Sequence, residues 1–167
     1  MEGRRRAVSV RTLHRIRTIR GLIRHGERPY GRRMPNVPSP PTGHRPALGL
    51  AGERHARDHL ERLGMTILEQ RFRTRHGEID IVAHDRRALV FCEVKARRAR
   101  RGDAPDRTSP WISLHAGKQA RVRRLATAWL AEHPDRPRTP DLRFDAIGVW
   151  IDGDGRLVRL EHVEAAF

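Results

Sequence analysis

Three charged residues stand inside runs that are otherwise built for burial. Asp80 lies between Ile79 and Ile81-Val82-Ala83, while Glu93 and Lys95 interrupt the run Leu89-Val90-Phe91-Cys92 and Val94. The β-rich runs 78–83 and 88–95 flank the polar stretch His84-Asp85-Arg86-Arg87, a hairpin signature. Successive side chains of a strand point to opposite faces, so Phe91, Glu93 and Lys95 share one face and Val90, Cys92 and Val94 the other. Acids and lysines are seldom buried without a partner. Asp80 on the neighbouring strand can approach Glu93, and two close carboxylates repel unless a cation neutralises them. Hard oxygen ligands without thiolate or imidazole nearby favour Mg2+ or Mn2+ over Zn2+. The alternative, open at this point, is a plain salt bridge of Lys95 with Glu93 or Asp80 on a half-exposed strand.

The elements around these residues follow from pattern. Ala51, Ala56, Leu60 and Leu63 make an apolar stripe that predicts a helix over 49–63, stopped by Gly64. A strand over 65–72 precedes the hairpin. Val122, Leu125, Ala126, Trp129 and Leu130 recur at i, i+3, i+4, i+7 and i+8, predicting a second helix closed by Pro134, Pro137 and Pro140. Two further strands, 144–151 and 157–163, surround the turn Asp152-Gly153-Asp154-Gly155. The order is helix, three strands, helix, two strands.

Several pieces now read together: Glu53 in the first helix, Gly77-Glu78-Ile79-Asp80, Phe91-Cys92-Glu93-Val94-Lys95-Ala96-Arg97, Lys118 opening the second helix, and Arg143-Phe144-Asp145. Over residues 48–163 this run resembles the YraN family of the PD-(D/E)xK, restriction endonuclease-like superfamily, and it is similar to archaeal Holliday junction resolvases. The resemblance implies an α/β fold with an α-β-β-β-α-β core, a mixed central sheet flanked by helices. It implies that Asp80 and Glu93 hold Mg2+ or Mn2+, that the Val94 carbonyl completes the site, and that Glu53 joins through metal or water. Lys95 then positions or polarises the attacking water, and Glu78 either supports the site from behind or is a satisfied surface acid. Ile79 stands where the superfamily name has proline.

Charge and composition bear on partners. The chain has 167 residues and a net charge of +15, with 35 Lys and Arg against 20 Asp and Glu. Residues 1–47 contribute +10 of this, from twelve Arg against Glu2 and Glu27. This segment, rich in Arg and Pro, reads as a disordered basic extension to a domain over 48–167, with an amphipathic helix over 13–23 able to lie on nucleic acid. No stretch approaches the roughly 18 apolar residues of a membrane helix. The single Cys92 excludes an internal disulfide framework, so a reduced, cytoplasmic setting is expected. A positive surplus favours polyanions. Arg97, Arg98, Arg100 and Arg101 after the Glu93 strand, with Lys118, Arg121, Arg123 and Arg124 on the second helix, either grip DNA phosphates without reading sequence or form a solvated basic face. The expected activity is metal-dependent hydrolysis of structured or single-stranded DNA in repair, recombination or uptake. A non-catalytic nucleic-acid-binding module on the same fold is the alternative, and a homodimer is open. Weaker signals read structurally: His55 and His59 as exposed histidines, Trp129 as core, and Asp152 to Gly155 as a turn. Asp145 is either a salt bridge at a strand start or part of the site.

Overall fold

The computed structural model describes residues 15–20, 44–99 and 116–167. In chain order the elements are β1 (Arg15–Arg20), α1 (His44–Arg62), β2 (Thr66–Thr74), β3 (Gly77–His84), β4 (Ala88–Arg98), α2 (Ala116–Glu132), β5 (Asp141–Ile151) and β6 (Leu157–Glu164). The strands form one sheet in the order β1-β6-β5-β4-β3-β2. Only β4 and β5 run parallel; every other neighbouring pair is antiparallel. A parallel pair needs a crossover, and α2 supplies it. From α1 to β5 the elements follow the α-β-β-β-α-β order that the sequence predicts, in a mixed sheet with two helices.

Alternation along the central strands decides which helix covers which face. Val90, Cys92 and Val94 pack with Ala56 and Leu60 of α1, together with Ile147, Val149 and Ile151 of β5. Leu89 and Phe91 pack on the opposite side with Leu125, Ala126 and Trp129 of α2. Trp129, Phe91 and Leu60 are almost wholly buried, and each such burial contributes about 1.5–3 kcal/mol. Glu93 and Lys95 continue the Phe91 face and therefore emerge on the α2 side. The face assignment made from sequence parity holds along β4.

Three expectations are corrected. Residues 15–20 form a strand paired antiparallel with β6, in place of the amphipathic helix over 13–23. The reason is tertiary: β6 would otherwise expose a free edge, and its Glu164 offers Arg17 an ion pair at 2.8 Å. The remainder of the basic extension up to residue 43 lies outside the described residues. Helix α1 starts at His44, five residues earlier than the stripe predicts, with Pro46 in its first turn. The first amides of a helix have no intrahelical partner, so proline is tolerated there. His59, expected at the surface, is 1% exposed.

His59 belongs to a buried polar chain beneath α1. Its Nε2 lies 3.2 Å from His162 Nδ1, and His162 Nε2 lies 2.9 Å from Asp145 Oδ2. Asp145 also accepts from the Arg143 guanidinium and from the Ala165 amide. This settles Asp145 as a structural anchor that ties β5 to β6. His55 instead points its Nε2 at the Gly155 carbonyl, 3.1 Å away, so the two histidines do not share a ligand site.

Two tests follow. Burial, and then the neighbouring His162, lower His59 from its ordinary 6.5 to about 4. Between these values the unfolded chain takes up a proton that the folded chain refuses, so the contribution is complete above pH 6.5 and is lost as pH falls towards 4. The loss reaches at most about 3 kcal/mol at 1.36 kcal/mol per unit. The urea midpoint of His59→Gln should therefore fall less than wild type between pH 7 and pH 4.5, and parallel curves would refute this. The second test concerns the α1 contact with β4. A Cβ on Gly52 would meet the Ala96 Cβ at 2.5 Å, so glycine alone lets the helix lie that close and keeps Glu53 at its place. Gly52→Ala should cost about 1–3 kcal/mol by overpacking, with Ala96→Gly in the same chain recovering part of the loss in chemical denaturation.

Candidate active site

The β3–β4 ladder stops where the charged residues begin. Paired residues run from His84 with Leu89 to Ile81 with Cys92. The next rung would place Asp80 opposite Glu93. Here Asp80 uses its side chain instead, and Oδ2 accepts a 2.6 Å hydrogen bond from the Val94 amide. The strands thus separate into a cleft of about 490 Å3, with Glu53, Glu78, Asp80, Glu93, Val94 and Lys95 in its lining. Gly117, Lys118 and Arg121 of α2 complete the wall. All six residues that the sequence assigned to metal binding, catalysis or their support therefore share one cavity.

Glu93 is the most enclosed acid of the cleft, 7% exposed. Its Oε1 receives two ammonium groups, Lys118 Nζ at 2.6 Å and Lys95 Nζ at 3.1 Å. The salt bridge weighed from sequence is therefore present, and it is doubled. Burial would lower Lys95, but Glu93, with help from Lys118 and Asp80, outweighs it and holds that lysine above its ordinary value. For Lys118 burial wins, aided by the neighbouring Lys95, and the group falls below its ordinary value despite Glu93. Burial first, and the Glu93 carboxylate second, push Asp80 up to about 7, with the Val94 amide only partly offsetting them. Glu53 is also raised by burial, against the opposing Arg71 guanidinium, whose Nε lies 3.7 Å from Glu53 Oε2. Glu78 faces Arg73 Nε at 3.1 Å.

Two lysines and two central acids thus occupy one half-enclosed space. Among the described residues no group of three or more His, Cys, Asp or Glu is gathered to hold a metal. A zinc centre needs such a group. Mg2+ does not, because it keeps several waters and is bound by one or two carboxylates with the rest supplied by substrate phosphates. A carboxylate has two oxygens with about four acceptor positions, so Asp80 and Glu93 keep capacity beyond the contacts described. Their donor chemistry fits a hard divalent cation.

The basic residues divide. Arg121 lies in the cleft wall, so close to Gly77 that a Cβ there would meet its Nε at 2.8 Å; Gly77 also adopts φ 135°, which side chains avoid. The glycine of Gly77-Glu78-Ile79-Asp80 is thereby explained by space and backbone together. Arg97 and Arg98 are exposed at the end of β4, and Arg124 is exposed on α2. Arg123 is directed elsewhere, its guanidinium 5.8 Å from the Phe144 ring centroid and 5.9 Å from that of Phe167. Arg100 and Arg101 lie outside the described residues. Sequence reasoning placed Lys118 among phosphate contacts and missed that it pairs with Glu93; its spacing from the buried stripe of α2 carried that signal, since Lys118, Val122 and Leu125 fall on one helix face. It gave Arg71 no role.

The model of Uncharacterised protein family UPF0102 matches residues 52–149. A UPF0102 protein of Acidothermus cellulolyticus is 51% identical over 132 residues, covering 74% of this chain and 95% of the relative. One of Parafrankia sp. is 46% identical over 121 residues, covering 72% and 95%, and one of Geobacter metallireducens is 37% identical over 124 residues, covering 74% and 94%. The matched segment contains the whole Glu53, Asp80, Glu93, Lys95 and Lys118 constellation. With 52–149 matched by the family model and relatives covered over nearly their full length, this chain belongs to the UPF0102 family, the YraN group that its motifs resemble.

Proposed function

We propose that this chain is a metal-dependent nuclease that hydrolyses phosphodiester bonds of structured or single-stranded DNA. One observation carries the reading. Asp80, whose charge burial and Glu93 disfavour, converges with Glu93 in one cleft, beside two lysines, at the point where the β3–β4 ladder opens. Burying like charges costs stability that a purely structural role does not need. Asp80 and Glu93 would hold Mg2+ or Mn2+, with the Val94 carbonyl and Glu53 at its margin. When bound, the cation would supply Lewis-acid polarisation of the phosphoryl group and a water of lowered pKa.

This chain's own residues do the remaining work. The ammonium groups of Lys95 and Lys118 stand where negative charge grows on the phosphoryl oxygens, and fixed charges in a half-enclosed site act there without reorganising. The Val94 amide fixes the Asp80 carboxylate through Oδ2. Arg121 in the wall, with Arg97 and Arg98 at the end of β4, would bind flanking phosphates. Among the described residues no helix is long and apolar enough to cross a membrane. The pairing of both lysines with Glu93 also favours a second reading, a DNA-binding module in which they neutralise a vestigial acid.

The test uses two variants and a panel of labelled DNA structures. Asp80→Asn keeps an acceptor for the Val94 amide and removes a charge that burial and Glu93 disfavour. Its thermal midpoint at pH 8 without metal should equal or exceed wild type, while Mn2+-induced stabilisation and cleavage disappear. Lys95→Ala should retain Mn2+ binding but cut about 100- to 1,000-fold more slowly. Cleavage by Asp80→Asn at the wild-type rate would refute the site, and tight DNA binding without any cleavage by wild type would favour the binding module. Because the proposed contacts are to phosphates, affinity should change little when base pairs are scrambled within one DNA structure. In a competition assay at fixed ionic strength it should vary between duplex, flap, junction and single strand, and log affinity should fall linearly with log salt in a separate salt titration.

A further inference from the structure

Arg71 adopts φ 58° within strand β2. A side chain with a Cβ is crowded in this left-handed region, and only glycine, with asparagine and aspartate less freely, enters it routinely. Arg71 is not at a turn. Its neighbours Gln70 and Phe72 pair in register with Ile81 and Ile79 of β3, which sets Arg71 on the rung of Asp80.

Alternation fails on that rung in both strands. Ile79 and Val82, three residues apart, both lie in the cluster under α2, whereas Ile81 and Ala83 lie in the cluster under α1. A regular strand cannot place residues three apart on one face. In β2, Phe72 packs under α2, while Gln70 pairs with Ile81 of the α1 side. The two strands therefore change face together, at Arg71 and Asp80. Beyond this rung the β3–β4 pairing ends and the Asp80 carboxylate meets the Val94 amide.

We infer that Arg71 is a positioning residue that acts through its backbone: its left-handed conformation lets β2 follow the change of face in β3 that aims Asp80 into the cleft. This deepens the nuclease reading, since Asp80 is one of the two proposed metal-holding groups, yet it concerns geometry that exists without metal. The requirement at position 71 is then for a residue that tolerates positive φ, and the guanidinium with its 3.7 Å approach to Glu53 is secondary.

The experiment follows the Val94 amide by hydrogen exchange in the full chain, with Mn2+ binding by calorimetry as a second readout. Arg71→Gly and Arg71→Asn should keep the wild-type protection of that amide and the wild-type Mn2+ affinity, and Arg71→Gly should melt a few degrees higher. Arg71→Val, which is β-branched, should lose protection at Val94 and weaken Mn2+ binding at least tenfold. Arg71→Lys, which keeps charge and strain, should resemble wild type. Loss of Val94 protection in the glycine and asparagine variants, with retention in the lysine variant, would overturn the inference in favour of a role for the charge. Those two variants decide the matter even if Arg71→Val does not fold. If wild type binds no Mn2+ while the Val94 pattern appears as described, the nuclease reading fails and the positioning role of Arg71 stands.

Discussion

Asp80 and Glu93 are drawn together at a cleft where burial already works against the charge of Asp80, and the surrounding structure is largely arranged to sustain that. Asp80 is held above its ordinary range by loss of water first and by Glu93 second. Glu93 is tolerated in its enclosed position because Lys95 arrives from the same strand face and Lys118 from α2. Removing Asp80 would relieve repulsion, whereas removing Glu93 would leave two neighbouring ammonium groups without their shared carboxylate. This asymmetry is what a site kept for chemistry looks like, and it is the physical basis of the proposed nuclease function.

The positions of these groups depend on few contacts. β4 supplies Glu93 and Lys95 by simple alternation, with Phe91 anchoring the same face against Trp129 at a ring-centroid distance of 5.8 Å. α1 brings Glu53 to the cleft because Gly52 allows contact with Ala96. α2 brings Lys118 and Arg121 because its buried stripe fixes its rotation on the sheet. At the other end, the Asp145, His162 and His59 chain ties β5, β6 and α1 together without entering the cleft. The polar groups inside this molecule thus serve two separate ends, one anchoring the sheet and one lining the cleft.

Much of this was legible in the sequence, and what was missed has identifiable causes. β4 is a continuous strand, so period-two reasoning placed Phe91, Glu93 and Lys95 correctly. α2 has a clean helical stripe, so Trp129 was correctly read as core. Residues 13–23 show apolar residues at helical spacing, yet the vacant edge of β6 decides the conformation of 15–20, and an edge cannot be seen in a local window. His59 looked exposed because its partners His162 and Asp145 are about a hundred residues away in sequence. Arg71 was invisible because arginine carries no signal for positive φ, unlike Gly77, whose motif announced a special backbone.

The central claim is that the Asp80 and Glu93 pair exists to hold a divalent cation. Anomalous diffraction from crystals grown with Mn2+ addresses it most directly. The account predicts a peak within bonding distance of both carboxylates, with Lys118 withdrawn from Glu93 towards the open cleft. A structure in which Glu93 remains clasped by Lys95 and Lys118, with no anomalous density beside Asp80 at saturating Mn2+, would contradict it.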